Sequence, residues 1–143
     1  MNKSCDFSAM QGSTLHEIRT GFPTPGICTL IFYTSNGVYW MGHHTDCCES
    51  VTIEEVHGNP VELKDSHITI AYESTNNELG APVPNQYESQ TWTFYHIQTT
   101  KGDLTIRWLG ESNGYYSERV DFEKMEDETI VGVPWTGQSH RKE

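Results

Sequence analysis

The chain has 143 residues, and nine Lys or Arg against twenty Asp or Glu give it a formal net charge of −11. A chain of this length can bury one hydrophobic core, so we expect a single domain. The acidic balance argues against direct nucleic-acid binding, which needs a basic surface. No apolar run approaches the 18 residues that predict a membrane-spanning helix.

The N-terminal residues 1–12 are predicted to be poorly ordered, with Phe7 and Met10 available to dock on the core. This stretch lacks the apolar segment of a secretory signal, so we expect a cytoplasmic protein. In that compartment cysteines are usually reduced, so we expect four free thiols. They are Cys5, Cys28, Cys47 and Cys48.

Two segments predict short helical turns, STLHEIRT (13–20) and GNPVELKDS (58–66). Ser13 and Asn59 are residue types that begin helices, and Pro60 follows Asn59 at the position where helices accept proline. From Thr29 onward the pattern is typical of β-strands. The runs are TLIFYT, VYWM, SVTIEEV, HITIAY, TWTFYHIQT, DLTIRWL and YYSERVDF.

These runs are short, rich in β-branched and aromatic residues, and separated by Gly, Asn, Pro or Ser. They predict a mainly β fold, an antiparallel sheet of about six to seven strands with hairpins and at most one or two short helices. We expect residues 1–125 to form the globular domain. The acidic and then polar tail, 126–143, is expected to be partly disordered. Within it, IVGVPW (130–135) is apolar enough to dock back on the domain or to meet a second copy in a homo-oligomer.

Three turns share one form, SNG (35–37), TKG (100–102) and SNG (112–114). Each places Gly third in a three-residue loop, where a positive φ forms a bulge. If each of the last two loops holds three residues, Ile106 pairs with His96 on the preceding strand and with Val120 on the following strand. This register keeps one face of the sheet apolar. Residues 91–122 are therefore predicted to form a three-stranded meander, with Leu104, Ile106 and Trp108 facing the core. The polar segment 73–90 is predicted to be a long surface loop.

The stretch HHTDCCE (43–49) contains the residue types that bind zinc. The weak candidate ligands are His43, His44, Asp46, Cys47, Cys48 and Glu49. The spacing argues against a metal site, because adjacent side chains of an extended chain point to opposite faces. We favour a buried turn, since free cysteine is among the most buried residue types. No cofactor is therefore expected, with zinc as the alternative.

The stretch IRWLGESNGYYSERVDF (106–122) clusters arginines and aromatic rings at one hairpin end. Such groups hold a phosphate or nucleotide, or anchor a protein interface. Ordinary cross-strand contacts on a polar sheet face are the alternative. The residues predicted to bind a ligand or partner are Arg107, Trp108, Asn113, Tyr115, Tyr116 and Arg119.

The strings DCCESVTIEEV (46–56) and TWTFYHIQTTKGDLTIRWLGESNGYYSERVDFEK (91–124) resemble a family of small bacteriophage-encoded proteins that carries only an unknown-function label. The resemblance covers roughly residues 10–124 and rests on specific strings, DCCE and GESNGYYSE, rather than generic patterns. The chain departs from the family around 58–65, and the tail 126–143 is peculiar to it.

The resemblance implies a phage protein acting in the cytoplasm of an infected bacterium, and it brings no known activity. We expect a non-enzymatic protein that binds and inhibits or sequesters a host protein, or a small nucleotide-like signal. Two alternatives stay open. One is a metal- or thiol-dependent enzyme centred on residues 43–49, although no catalytic motif such as a nucleophile elbow or HExxH is present. The other is a virion or assembly component.

Overall fold

The computed structural model describes residues 2–26, 28–45, 48–77 and 89–139, without the side chains of residues 76 and 77. Over these ranges the chain forms ten β-strands and two 3-10 turns, the latter at Phe7–Met10 and Pro60–Leu63. The strands are β1 (Lys3–Ser4), β2 (Thr14–Thr20), β3 (Leu30–Thr34), β4 (Gly37–Gly42), β5 (Ser50–His57), β6 (Ser66–Asn77), β7 (Ser89–Thr99), β8 (Gly102–Ser112), β9 (Asp121–Met125) and β10 (Val133–Pro134).

All ten strands belong to one antiparallel sheet with the order β1-β9-β4-β3-β2-β6-β7-β8-β5, and β10 adds to β2. The pairing of β2 with β6 is short, limited to Thr14 with His67 and Leu15 with Ser66. It joins two halves, one around β2, β3, β4 and β9 and the other formed by β5 to β8. Buried residues of both halves belong to one core cluster, so the two halves pack face to face.

The predicted fold class, a mainly β antiparallel sheet with hairpins, is confirmed, and the strand count is higher than expected. The additional strands are β1, β2 and β10, two of which are only two residues long. No helix in the described ranges is long and apolar enough to cross a membrane.

The start of the chain helps to close the core. Phe7 lies between the two halves, with its ring centroid 5.0 Å from that of Phe122 on β9 and 4.7 Å from that of Tyr95 on β7. The turn that carries it is capped by Asp6, whose carboxylate accepts a hydrogen bond from the Ser8 amide at 3.0 Å. Burying a side chain of this size contributes about 1.5–3 kcal/mol.

The helical turn predicted at STLHEIRT is wrong, because this segment forms β2. A bulge between Leu15 and Glu17 shifts the strand by one residue. Leu15 and Ile18 are therefore both buried in the core although they are three positions apart, a spacing that imitates a helix. The other predicted turn is confirmed at Pro60–Leu63, where the Asn59 side chain accepts a hydrogen bond from the Val61 amide at 3.0 Å.

Of the meander predicted over 91–122, the antiparallel pairing of the first two strands is confirmed, whereas the third strand and the register are wrong. Strand β8 pairs with β7 on one side and with β5 on the other, whereas β9 pairs with β1 and β4. Ile106 lies opposite Tyr95 rather than His96, because the loop after Thr99 holds two residues instead of three. Tyr95 is fully buried and donates a hydrogen bond to Glu73 at 2.6 Å. Its polar tip is therefore satisfied, and Phe94 and His96 lie on the outer face.

The predicted core stripe of Leu104, Ile106 and Trp108 is buried, with each residue at most 1% exposed. The glycines of all three predicted turns have positive φ, 141° at Gly37, 147° at Gly102 and 90° at Gly114. The segment predicted as a long loop, 73–90, is partly strand, since β6 extends to residue 77 and β7 begins at residue 89. Its remaining part, 78–88, lies outside the described residues.

The segment 130–135 docks back on the domain. The Arg19 guanidinium donates hydrogen bonds to the carbonyl oxygens of Val131 and Gly132 at 2.9 and 2.7 Å. The Trp135 amide donates to the Ile18 carbonyl at 3.0 Å, and the Trp135 side chain is buried in the main core. The end of the tail expected to be disordered, residues 140–143, lies outside the described residues.

Candidate functional site

The described end of the DCCE motif, Cys48 and Glu49, lies at the start of a strand that pairs with the strand leading into GESNGYYSE. Strand β5 begins immediately after the segment DCCE (46–49), and β8 ends within GESNGYYSE (110–118). Because β5 and β8 are paired, Ser50 lies opposite Glu111 and Val51 opposite Gly110. The candidate site is formed by the described residues just before β5 and by the segment that follows β8.

A buried histidine connects the two motifs. The His43 Nε2 atom lies 2.8 Å from Glu49 Oε2, and its Nδ1 atom lies 2.7 Å from the carbonyl oxygen of Arg119. Both ring nitrogens of His43 therefore have a hydrogen-bonding partner within the protein. The side chains of His43 and Glu49 are only 6% and 0% exposed. This buried pair ties the end of DCCE to the backbone that follows GESNGYYSE.

A second buried carboxylate folds the end of GESNGYYSE back on the sheet. Glu118 accepts a hydrogen bond from the Thr91 hydroxyl at 2.8 Å and a short one from the Ser112 hydroxyl. The fold-back requires glycine at position 110, because a Cβ there would overlap the Glu118 backbone and lie 2.7 Å from the Glu118 Cβ. We call residues 113–119 the recognition loop.

Local hydrogen bonds fix the turn of the recognition loop. The Gly114 amide donates to the Ser112 hydroxyl at 3.0 Å, and the Tyr115 amide donates to the Asn113 side chain at 2.9 Å. The loop presents Tyr115, which is 82% exposed and contacts the Tyr116 ring edge-on at 5.1 Å between centroids. Four of the six predicted binding residues lie together on this loop, namely Asn113, Tyr115, Tyr116 and Arg119.

The other two predicted binding residues lie elsewhere. Trp108 is buried in the core at 0% exposure. Arg107 lies on the outer face of β8, where its Nη1 atom donates to Glu55 at 2.8 Å and its guanidinium sits 3.9 Å from the centre of the Trp92 ring. The hydrogen bond from Arg107, followed by one from His57, holds the pKa of the Glu55 carboxyl below its usual range.

The cysteines differ from expectation at one position. Cys5 and Cys28 are free thiols, as predicted, but Cys48 is disulfide-bonded. The expectation of four reduced thiols is therefore wrong at Cys48. No three His, Cys, Asp or Glu side chains of the described residues converge on a position that could hold a metal ion. Two of the weak candidate ligands, Asp46 and Cys47, lie outside the described residues.

A cavity of about 480 Å³ lies beside His43 and is also lined by Cys28, Trp40 and His44. The His44 ring packs on the Trp40 indole at 4.7 Å between centroids, and its Nε2 atom lies 2.8 Å from Glu123 Oε2. Sequence reasoning did not single out Cys28. It lies 15 positions before His43. Cys28 precedes β3 and His43 follows β4, so the pairing of these two strands brings the two residues to one cavity.

The fold and the site define a small antiparallel β protein that holds a surface loop in place through two buried carboxylates. The family model described as "Domain of unknown function (DUF7448)" matches residues 16–122, and the chain belongs to this family. Neither the curated proteins nor the solved structures gave a match.

Proposed function

We propose that this is a bacteriophage protein that acts in the cytoplasm of an infected bacterium by binding a host protein and inhibiting or sequestering it, without catalysis. The observation that carries the proposal is the exposed Tyr115 ring on a loop fixed by buried hydrogen bonds. A large aromatic surface on a pre-organised loop loses little conformational entropy on binding. Such residues commonly supply much of the energy of a protein interface.

The charge of the chain supports a basic partner. A net charge of −11 attracts positively charged surfaces and accelerates encounter with them. Arg119, which is exposed on the same loop as Tyr115, gives the loop a donor for carboxylates. A nucleotide-like signal is the alternative ligand of the same loop, since guanidinium and aromatic groups also hold phosphates and bases.

The test measures capture from a lysate of the host bacterium, followed by affinity for the captured protein. Tyr115→Ala should weaken binding by about 2 kcal/mol, roughly 30-fold. It should change the free energy of unfolding by less than about 1 kcal/mol, as expected of a surface substitution. Val61→Ala, which trims another exposed apolar side chain, is the matched control.

Unchanged affinity in Tyr115→Ala would refute the role of the loop. A large loss of stability with normal binding per folded molecule would show that Tyr115 serves the fold. Mass spectrometry of small molecules released on heating tests the nucleotide alternative. Recovery of the protein in purified virions, with no host protein captured, would favour an assembly role.

A thiol-dependent enzyme is the second candidate, because Cys28 and His44 line one cavity and Glu123 holds the His44 ring. A carboxylate that orients a histidine near a thiol is a common arrangement in nucleophilic catalysis. His43 is less suited to act as a base, since both of its ring nitrogens are hydrogen-bonded within the protein. Iodoacetamide labelling near neutral pH tests the idea. Labelling of Cys28 no faster than that of an unstructured cysteine peptide, and unaffected by His44→Ala, would contradict it.

A further inference from the structure

The outer face of the β5–β8 half carries a row of stacked planar groups. The Tyr72 and His96 rings are 4.5 Å apart and 21° from parallel, and the His96 and Phe94 rings are 6.2 Å apart and 9° from parallel. The Arg107 guanidinium continues the row, 5.9 Å from the Phe94 centroid and 3.9 Å from that of Trp92. We call this row the aromatic ladder.

The strand register places these groups side by side on the face away from the core. Tyr72 lies opposite His96, and Phe94 lies opposite Arg107, while Thr93, Tyr95 and Ile97 of β7 are buried. The outward-facing side of an antiparallel sheet is usually polar. Here Tyr72 is 47% exposed and Ile70, one row further along β6, is 40% exposed. A continuous apolar patch of this kind marks an interaction site.

The charges around the aromatic ladder exclude some occupants. Arg107 is the only Arg or Lys among the described residues of this face, and Glu55 neutralises it. Stacking platforms for single-stranded nucleic acid combine aromatic rings with unpaired cations along the backbone path, and the described residues of this face supply no unpaired cation. Further carboxylates lie at its margins, at Asp103 and Glu111 on β8.

A second copy of the chain would bring the same acidic margins together, which electrostatic repulsion opposes. A positively charged partner would contact the apolar centre of this face and would pair its charges with the carboxylates at the margins. We propose that the aromatic ladder is a docking surface for a protein whose contact region has an apolar centre surrounded by Lys and Arg side chains. This surface is distinct from the recognition loop, and the proposal does not depend on the function proposed for that loop.

The test uses a displayed library of random peptides, selected on the immobilised full-length protein. Enriched peptides should combine Lys or Arg with Leu, Phe or Trp. Their affinity should fall at least tenfold in Tyr72→Ala and Phe94→Ala, and it should fall as salt screens the charges. Tyr115→Ala on the recognition loop is the matched control and should bind these peptides normally. Hydrogen exchange of the unmodified protein should show protection in β7 when a selected peptide is added, so the test does not depend on variant folding.

Several outcomes would overturn the proposal. Enrichment of acidic peptides, or no enrichment, would refute the proposal of a basic partner. Peptides whose binding is lost only in Tyr115→Ala would support the recognition loop and refute the ladder. Binding of an oligothymidine that is lost in Tyr72→Ala would assign the face to nucleic acid. A homodimer in sedimentation that is abolished by the same variant would assign it to a second copy.

Discussion

Gly110→Ala tests the close approach on which the candidate site depends. Gly110 has an ordinary strand backbone, so alanine introduces no conformational strain at this position. The new Cβ would overlap the Glu118 carbonyl oxygen and lie 2.7 Å from the Glu118 Cβ, whereas carbon atoms pack at about 3.5–4.0 Å. The recognition loop must therefore move away from β8 by roughly 1 Å.

The size of the effect follows from the bonds that this movement breaks. A shift of that size stretches the 2.8 Å bond from Thr91 to Glu118 beyond hydrogen-bonding range and disrupts the bond from Ser112. Each bond to a charged acceptor contributes about 1.5–3 kcal/mol. Replacing glycine recovers about 0.4–1 kcal/mol through the unfolded chain. The expected net loss is about 2–5 kcal/mol in the free energy of unfolding.

Gly114→Ala is the matched control within the same loop. Gly114 has φ +90° and no atom within 4 Å of an added Cβ. Alanine there strains only the backbone, at a cost of about 1–2 kcal/mol. Urea denaturation compares the two variants, and hydrogen exchange of the Ser112 and Glu118 amides reports the position of the loop. A Gly110→Ala protein as stable as the wild type, or more stable, would show that the loop does not approach β8 as described.

Two further predictions concern buried groups. Glu49→Ala and His43→Ala should each destabilise the protein by about 3–5 kcal/mol, and the double variant should lose at least 1 kcal/mol less than their sum. Simple additivity in urea denaturation would contradict a direct interaction between the two side chains. Burial, and then the hydrogen bond to the Glu73 carboxylate, raises the pKa of Tyr95 above its ordinary value. Above about pH 10 only the unfolded chain releases this proton, so stability present at lower pH should decline by up to roughly 1.4 kcal/mol per pH unit. Tyr95→Phe should abolish the part of this decline that is due to Tyr95. If the free energy of unfolding falls equally steeply with pH in the variant and the wild type, the assignment to Tyr95 is wrong.

The strands could be predicted from sequence because their residues have a local signature. Leu104, Ile106 and Trp108 alternate with polar residues, and all three are buried. Their pairing could not be predicted in the same way. The partner of Ile106 on β5 is Val56, fifty positions earlier, and no local pattern specifies such a pairing. The predicted register of β8 with β7 was wrong for a different reason. The prediction placed only apolar side chains on the core face, and the phenol of Tyr95 is buried there.

The recognition loop illustrates a similar division. The residue types of GESNGYYSE predicted a surface element with exposed aromatic groups, and Tyr115 is such a group. The features that hold the loop were not predictable, because they depend on backbone atoms and distant partners. His43 contacts the backbone carbonyl of Arg119, a group that every residue has, so no residue type at position 119 predicts this contact. Thr91 reaches Glu118 only because β7 lies beside β8.

The stretch HHTDCCE has the composition of a metal site, yet His43 and Glu49 use their polar atoms on each other and on a backbone carbonyl. A histidine ring is well suited to this role, because its two nitrogens lie on different edges of the ring and so join a carboxylate to a carbonyl. Asparagine at position 43 would be too short to span both acceptors. We therefore expect changes at Glu49 to affect binding through the position of Arg119 and its loop. A variant such as Glu49→Ala should then weaken partner binding while leaving peptides on the aromatic ladder unaffected.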